Sequence, residues 1–168
     1  SFPTRRSSDL VQAAVASPTV SVVPVDKKNV TTTEGNNVDT KADGTAEIND
    51  VTVNKNIATV PGTVTVDKVT YTVTVIKAKA FAKTAKKAKK IVIPATVKRV
   101  NKMGFTGAKK VKKIIVKGTK SFTVKKGAFK GLNSAKITVK VNKKMKAKEF
   151  KKLKKNLKKA GFKGKVTK

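Results

Sequence analysis

The chain has 168 residues, a formal net charge of +32, 38% apolar residues, eight aromatic side chains, and neither cysteine nor histidine. This composition excludes disulfides, thiolate nucleophiles, imidazole bases and the usual zinc ligands together, and it argues against one large core. Apolar runs stay far short of the roughly 20 residues that span a bilayer, so no membrane insertion is expected.

The charge is unevenly placed. Residues 1–76 carry seven basic and eight acidic side chains, whereas residues 77–168 carry 34 basic side chains opposed by Glu149 alone. Such a half repels itself and seeks a polyanion. Nearly all of the basic residues are lysine, a hydrated point charge, so diffuse attraction is expected over a shaped, forked phosphate site.

Taken in chain order, residues 1–10 (Ser-Phe-Pro-Thr-Arg-Arg-Ser-Ser-Asp-Leu) resemble a translated sequencing adaptor and are set aside from fold reasoning. Val11 to Ser17 has small residues spaced like the A-x-A end of a secretory signal, and an alanine-rich loop is the equally open alternative. Residues 17–46 are rich in Thr, Ser, Asn, Asp, Pro and Gly without helical periodicity. They read as a linker or loose strands, and with the signal remnant are assigned as a disordered linker, 11–46. Residues 47–76 read as an N-terminal β cap. Within it, Val64, Val66, Val69, Tyr71, Val73 and Val75 alternate about Asp67-Lys68, which predicts a hairpin.

Residues 77–142 repeat. Phe81, Phe105 and Phe129 lie 24 residues apart, and each is preceded at five residues by a β-branched anchor: Ile76, Val100 and Val124. After each phenylalanine comes a lysine-rich turn and then a β-rich run, Lys90–Pro94, Lys113–Lys117 and Lys136–Lys140. A varying turn inside a fixed period is what a stacked coil requires, because anchors must stay in register while loops face solvent. Ala88-x-x-Ile91-x-Ile93 and Val111-x-x-Ile114-x-Val116 share one spacing, and the third repeat offers Leu132, Ile137 and Val139. The phenylalanines and their β-branched partners read as structural anchors stacked in an inward column.

Residues 143–168 read as a helical C-terminal cap. Phe150, Leu153, Leu157 and Ala160 share one face of a helix over 146–160, Gly161 ends it, and Phe162 and Val166 return to the core.

Lys79-Ala80-Phe81, Ile91 to Val97 and Lys126 to Gly131 resemble BspA-type leucine-rich repeats, whose pattern runs roughly I-x-x-x-A-F-x-G-C-x-x-L-x-x-I-x-I-P. The resemblance covers about residues 57–168. Other residues hold the family's cysteine position here, Gly104 replaces the alanine before phenylalanine, and Ala88 replaces a leucine. The fold class expected is therefore mainly β with a C-terminal helix, a short leucine-rich-repeat solenoid capped by a hairpin and a helix. The resemblance also implies a secreted or cell-surface protein, bacterial and Gram-positive, that binds host, matrix or wall partners.

Parallel strands stack about 4.8 Å apart, so Lys90, Lys113 and Lys136 are expected to form one ladder and Lys117 and Lys140 a second row. Lys151 and Lys155 extend the basic field on the cap helix. These seven lysines are the candidate polyanion-binding residues, each also readable as a solvated surface charge. The function expected is a non-catalytic, monomeric binding module for an anionic cell-wall polymer or a host or matrix surface protein or glycan. Nucleic acid is the alternative, with salt-sensitive and sequence-blind affinity. It is disfavoured because the basic half has no pair of exposed aromatics for stacking and no recognition motif. Catalysis, cofactors and metals are not expected, since beyond residue 76 the single carboxylate leaves acid–base pairs and triads incomplete.

Overall fold

A computed structural model describes residues 22–168. The readings of residues 1–10 and of the A-x-A stretch at 11–17 lie outside the described residues. The described chain is mainly β with one C-terminal helix. The first part holds β1 (Lys27–Thr31), β2 (Asn37–Thr40), β3 (Thr45–Asp50), β4 (Val53–Asn54), β5 (Ile57–Thr59), β6 (Thr63–Val66) and β7 (Val69–Ile76). The lysine-rich part holds β8 (Lys90–Ile93), β9 (Arg99–Val100), β10 (Lys113–Val116), β11 (Thr123–Val124) and β12 (Thr138–Val141). These are followed by helix α1 (Ala147–Lys159) and β13 (Lys165–Thr167).

The strands make two sheets. One runs β1-β2-β3-β7-β9-β11, with β6 also paired to β7; the other runs β13-β12-β10-β8-β5-β4. From β3 to β11 and from β5 to β13 the neighbours along each path are parallel, so the chain alternates between the two sheets as it advances. One continuous apolar cluster joins both sheets, from Val38 to Phe162.

The anchors fall where their spacing places them. Ile76 pairs with Val100, and Val100 with Val124, in the first sheet. Phe81 and Phe105 stack at 5.8 Å between ring centroids, and Phe105 and Phe129 at 4.8 Å. Phe162 continues the column at 5.0 Å from Phe129, although α1 intervenes in sequence. Beside the rings, backbone bonds recur at 24-residue steps: the N–H of Lys79 donates to the Met103 carbonyl, and that of Met103 to Gly127. The backbone at Lys79, Met103 and Gly127 has positive φ, which glycine alone adopts without cost.

The hairpin β6–β7 turns on Asp67 and Lys68, both with positive φ, which is the twist a two-residue hairpin needs. The linker reading of residues 11–46 is corrected for its described part, since β1, β2 and the start of β3 are paired strands. Their apolar content is sparse, but alternation concentrates it: Val38, Ala46 and Ile48 are fully buried. The polar residues among them are satisfied. Asn36 Oδ1 accepts from the N–H of Thr52, and Asp39 accepts from Lys77, Asn49 and the N–H of Asn29. The paired strands also begin before residue 77, because β3 and β5 already lie alongside β7 and β8.

A lysine-lined face as candidate functional site

Alternation in the second sheet buries Ile91, Ile93, Ile114, Val116, Val139 and Val141, and turns the residues between them outward. The register then decides which outward residues stand side by side. Lys90 pairs with Lys113, Lys113 with Thr138, and Thr138 with Lys165. A second outward row runs Thr59, Val92, Ile115, Lys140 and Thr167.

Two expectations about the lysine rows are corrected here. Lys136 is not the third rung of the Lys90–Lys113 ladder; it ends a short 3-10 turn, Ser134–Lys136, and is exposed there. The ladder position belongs to Thr138. The physical cause is the core. Ile137, Val139 and Val141 are all buried, so the third strand advances two residues to seat them. Lys140 accordingly does not share a row with Lys117. Lys117 stands beside Asn142, whose side-chain amide donates to the Lys117 carbonyl at 2.7 Å. Lys117 and Lys140 are both exposed.

The field has little counter-charge within reach. In the lysine-rich half, Lys77 and Arg99 are the basic side chains with a carboxylate within 4.0 Å among the described residues, Lys77 with Asp39 and Arg99 with Glu47. Both carboxylates come from the N-terminal strands. Glu149 Oε1 instead accepts the backbone N–H of Ser121 at 3.2 Å. Burial opposes the charge on Asp39, but the hydrogen bonds from Lys77, Asn29 and Asn49 outweigh it and hold its carboxyl well below the usual range. Among the described residues, no three His, Cys, Asp or Glu side chains come together to hold a metal, and no helix is long and apolar enough to cross a membrane.

This arrangement of alternating parallel coils around stacked phenylalanines has a counterpart among solved structures. A leucine-rich cell surface protein from Faecalibacterium prausnitzii A2-165 superposes with a TM-score of 0.51 at 18% identity, over 76% of this chain and 39% of that one. The fold is that of a leucine-rich repeat protein. The chain spans about two fifths of that protein's length. A leucine-rich repeat protein from Bacteroides capillosus ATCC 29799 also matches, with a TM-score of 0.47 and 18% identity over 72% of this chain and 99% of that one. No protein-family model and no curated protein sequence matches the chain.

Departures from the usual leucine-rich repeat pattern have local reasons. A Cβ at Gly104 would lie 2.4 Å from Val100 Cγ1, so the alanine of the other repeats does not fit in the second. Ala88 and Val111 are buried at the leucine position of the first two repeats, and in the third the buried side chain before the strand is Ile137, one residue further along.

Towards the C-terminus, α1 forms as its apolar spacing requires. Leu153 and Leu157 are buried and Phe150 packs partly against the core. Ala160 follows as the last helical turn, and Gly161 takes φ +97°. Lys151 and Lys155 are exposed on the helix and line a groove between α1 and β13. Lys154 and Lys168 lie 5.3 and 5.2 Å from the ring centre of Phe150. The sequence reading missed Lys165 as a rung of the ladder. The parallel pairing of Val166 with Val139, which puts it there, leaves only the apolar return of Val166 as a signal.

Proposed function

We propose that this chain is a non-catalytic, secreted or cell-surface repeat module that binds anionic polymers through its lysine field. In this reading the coils form a short solenoid of 24-residue period, closed at the start by β-hairpins and at the end by α1. The observation that carries it is the unopposed charge of residues 77–168, 34 basic side chains against Glu149, displayed from a scaffold with rungs at Lys90, Lys113 and Lys165. Like charges this dense destabilise a fold unless counter-charge is near, and an anionic surface supplies it. The Faecalibacterium neighbour is a cell surface protein, which supports the location. The preferred ligand is an anionic cell-wall polymer, with acidic host or matrix proteins and glycans as further partners, and the module acts as a monomer.

Nucleic acid would satisfy the same charge. The aromatics of the basic half work against it: Phe81, Phe105, Phe122, Phe129 and Phe162 are buried in the core, and Phe150 is half-buried with Lys154 and Lys168 at its ring, which leaves no pair of exposed aromatics for stacking. The two readings separate by titrating teichoic-acid-type polymer and duplex DNA against the protein at one salt concentration. Tighter binding of the wall polymer per charge is expected. Tighter binding of DNA would overturn the preference.

A further inference from the structure

Strand β13 forms the outer edge of its sheet, and α1 packs near β11 of the other sheet. Between α1 and β13 runs a groove of about 910 Å³. Lys151, Lys155 and Lys158 line its helix side, β13 lines the other, and Phe162 and Val166 contribute apolar surface. No carboxylate lines it. Among the described residues, nothing pairs with the outer edge of β13. An open edge of this kind presents N–H and C=O groups that another strand can complete.

We propose that this groove binds an acidic polypeptide segment in extended form, added to β13 as the next strand. The spacing fits that occupant. Lys151, Lys155 and Lys158 recur at i, i+4 and i+7 on one helix face, with rises of about 6 and 4.5 Å. Alternate residues of a strand lie about 6.6 Å apart. Every second side chain of the guest therefore falls on the side of Val166, which α1 also lines, and reaches the lysines when it is Asp or Glu, while the intervening ones point to the side of Lys165 and Thr167. The lysines also exclude the wrong guests. A second copy would bring its own basic edge, Lys165 and the lysines of α1, against the same wall of charge. An anionic polysaccharide would satisfy the lysines but leave the backbone groups of β13 unpaired. The inference goes beyond polymer binding by the sheet face, because it concerns a different surface and depends on backbone pairing as well as charge.

The test uses the full chain and a fluorescent seven-residue peptide alternating Glu and Val. Controls are a peptide of the same composition with the glutamates contiguous, and the alternating peptide N-methylated at every second residue on the pairing edge. Lys151→Glu/Lys155→Glu reports on the groove, and Lys90→Glu/Lys113→Glu on the sheet face. All four side chains point outward, and thermal unfolding verifies that each variant is folded. The alternating peptide is expected to bind, with at least tenfold loss on N-methylation and on reversing Lys151 and Lys155. Reversing Lys90 and Lys113 should change its affinity less than twofold while weakening wall polymer. Equal binding of the N-methylated or contiguous peptide would overturn the proposal, reducing the groove to one more charged surface. Equal loss with the sheet-face variant would overturn it too. Parallel titration with wall polymer keeps either result distinct from a failure of the polymer reading.

Discussion

The backbone at Lys79 stores strain that the fold does not need. Its φ is +60° and its side chain is exposed, whereas the equivalent position in the third repeat is Gly127. A left-handed conformation costs a non-glycine residue roughly 1 kcal/mol. Lys79→Gly should therefore raise the melting temperature by about 2–4 °C, measured by thermal unfolding. Gly104 is the converse case. Its missing Cβ space is filled by Val100, so Gly104→Ala should destabilise by about 1–3 kcal/mol, the usual cost of overpacking, as read by denaturant titration. Both residues were visible in the sequence as departures or repeats, but their φ angles and neighbours were not, because a period fixes position and not conformation. Asp39 was not legible at all. It reads as one more acid in a polar stretch, and its role depends on Lys77, 38 residues away. Since its folded carboxyl lies below its ordinary value of 3.8, its contribution to stability is complete above that range and is lost as pH falls toward the depressed folded value. Stability of Asp39→Asn should accordingly fall less than that of the parent between about pH 4 and pH 2, in acid titrations followed by circular dichroism.

Among elements, the phenylalanine column is the part of the fold most readable from sequence. Three identical large residues at one spacing, each with a β-branched partner, admit few arrangements besides stacking. Phe105 sits between two ring neighbours and is 2% exposed. Phe105→Ala should cost about 3–5 kcal/mol and lower cooperativity across both adjoining coils, seen as a broader denaturant transition. The α1 helix was equally clear, because its apolar residues have helical spacing and a glycine stands at its end. The strand after the third turn was misplaced by two residues. Ile137-Thr138-Val139 and Val139-Lys140-Val141 alternate equally well, and sequence alternation alone does not choose between them. Closure of the coil onto β10 decides it by burying Val141 as well. Strands β1, β2 and the start of β3 fell in the stretch read as linker for another reason. Their order depends on hydrogen-bonded polar residues and on pairing with β7, neither of which leaves a local pattern.

The whole molecule is electrically two-ended. The N-terminal strands carry nearly all the acids and supply the carboxylates that meet Lys77 and Arg99, while the coils and α1 carry unpaired lysines. The size of the charge was plain from composition. Its layout was less so, since one slipped strand moved Lys136 and Lys140 out of their expected rows and brought Lys165 in. A field built from many lysines, rather than from one pocket, should lose affinity gradually as residues are removed. Reversing Lys90 and Lys113 together should weaken polymer binding several-fold without abolishing it. The most direct measurement is the affinity for an anionic wall polymer across a series of salt concentrations. Neutralising six to ten polymer charges would lower affinity by roughly 10³–10⁵ between about 50 and 200 mM salt if counterion release follows the behaviour of nucleic acids. A steep linear fall of log affinity with log salt is the expected result. An affinity unchanged across that range would contradict the account.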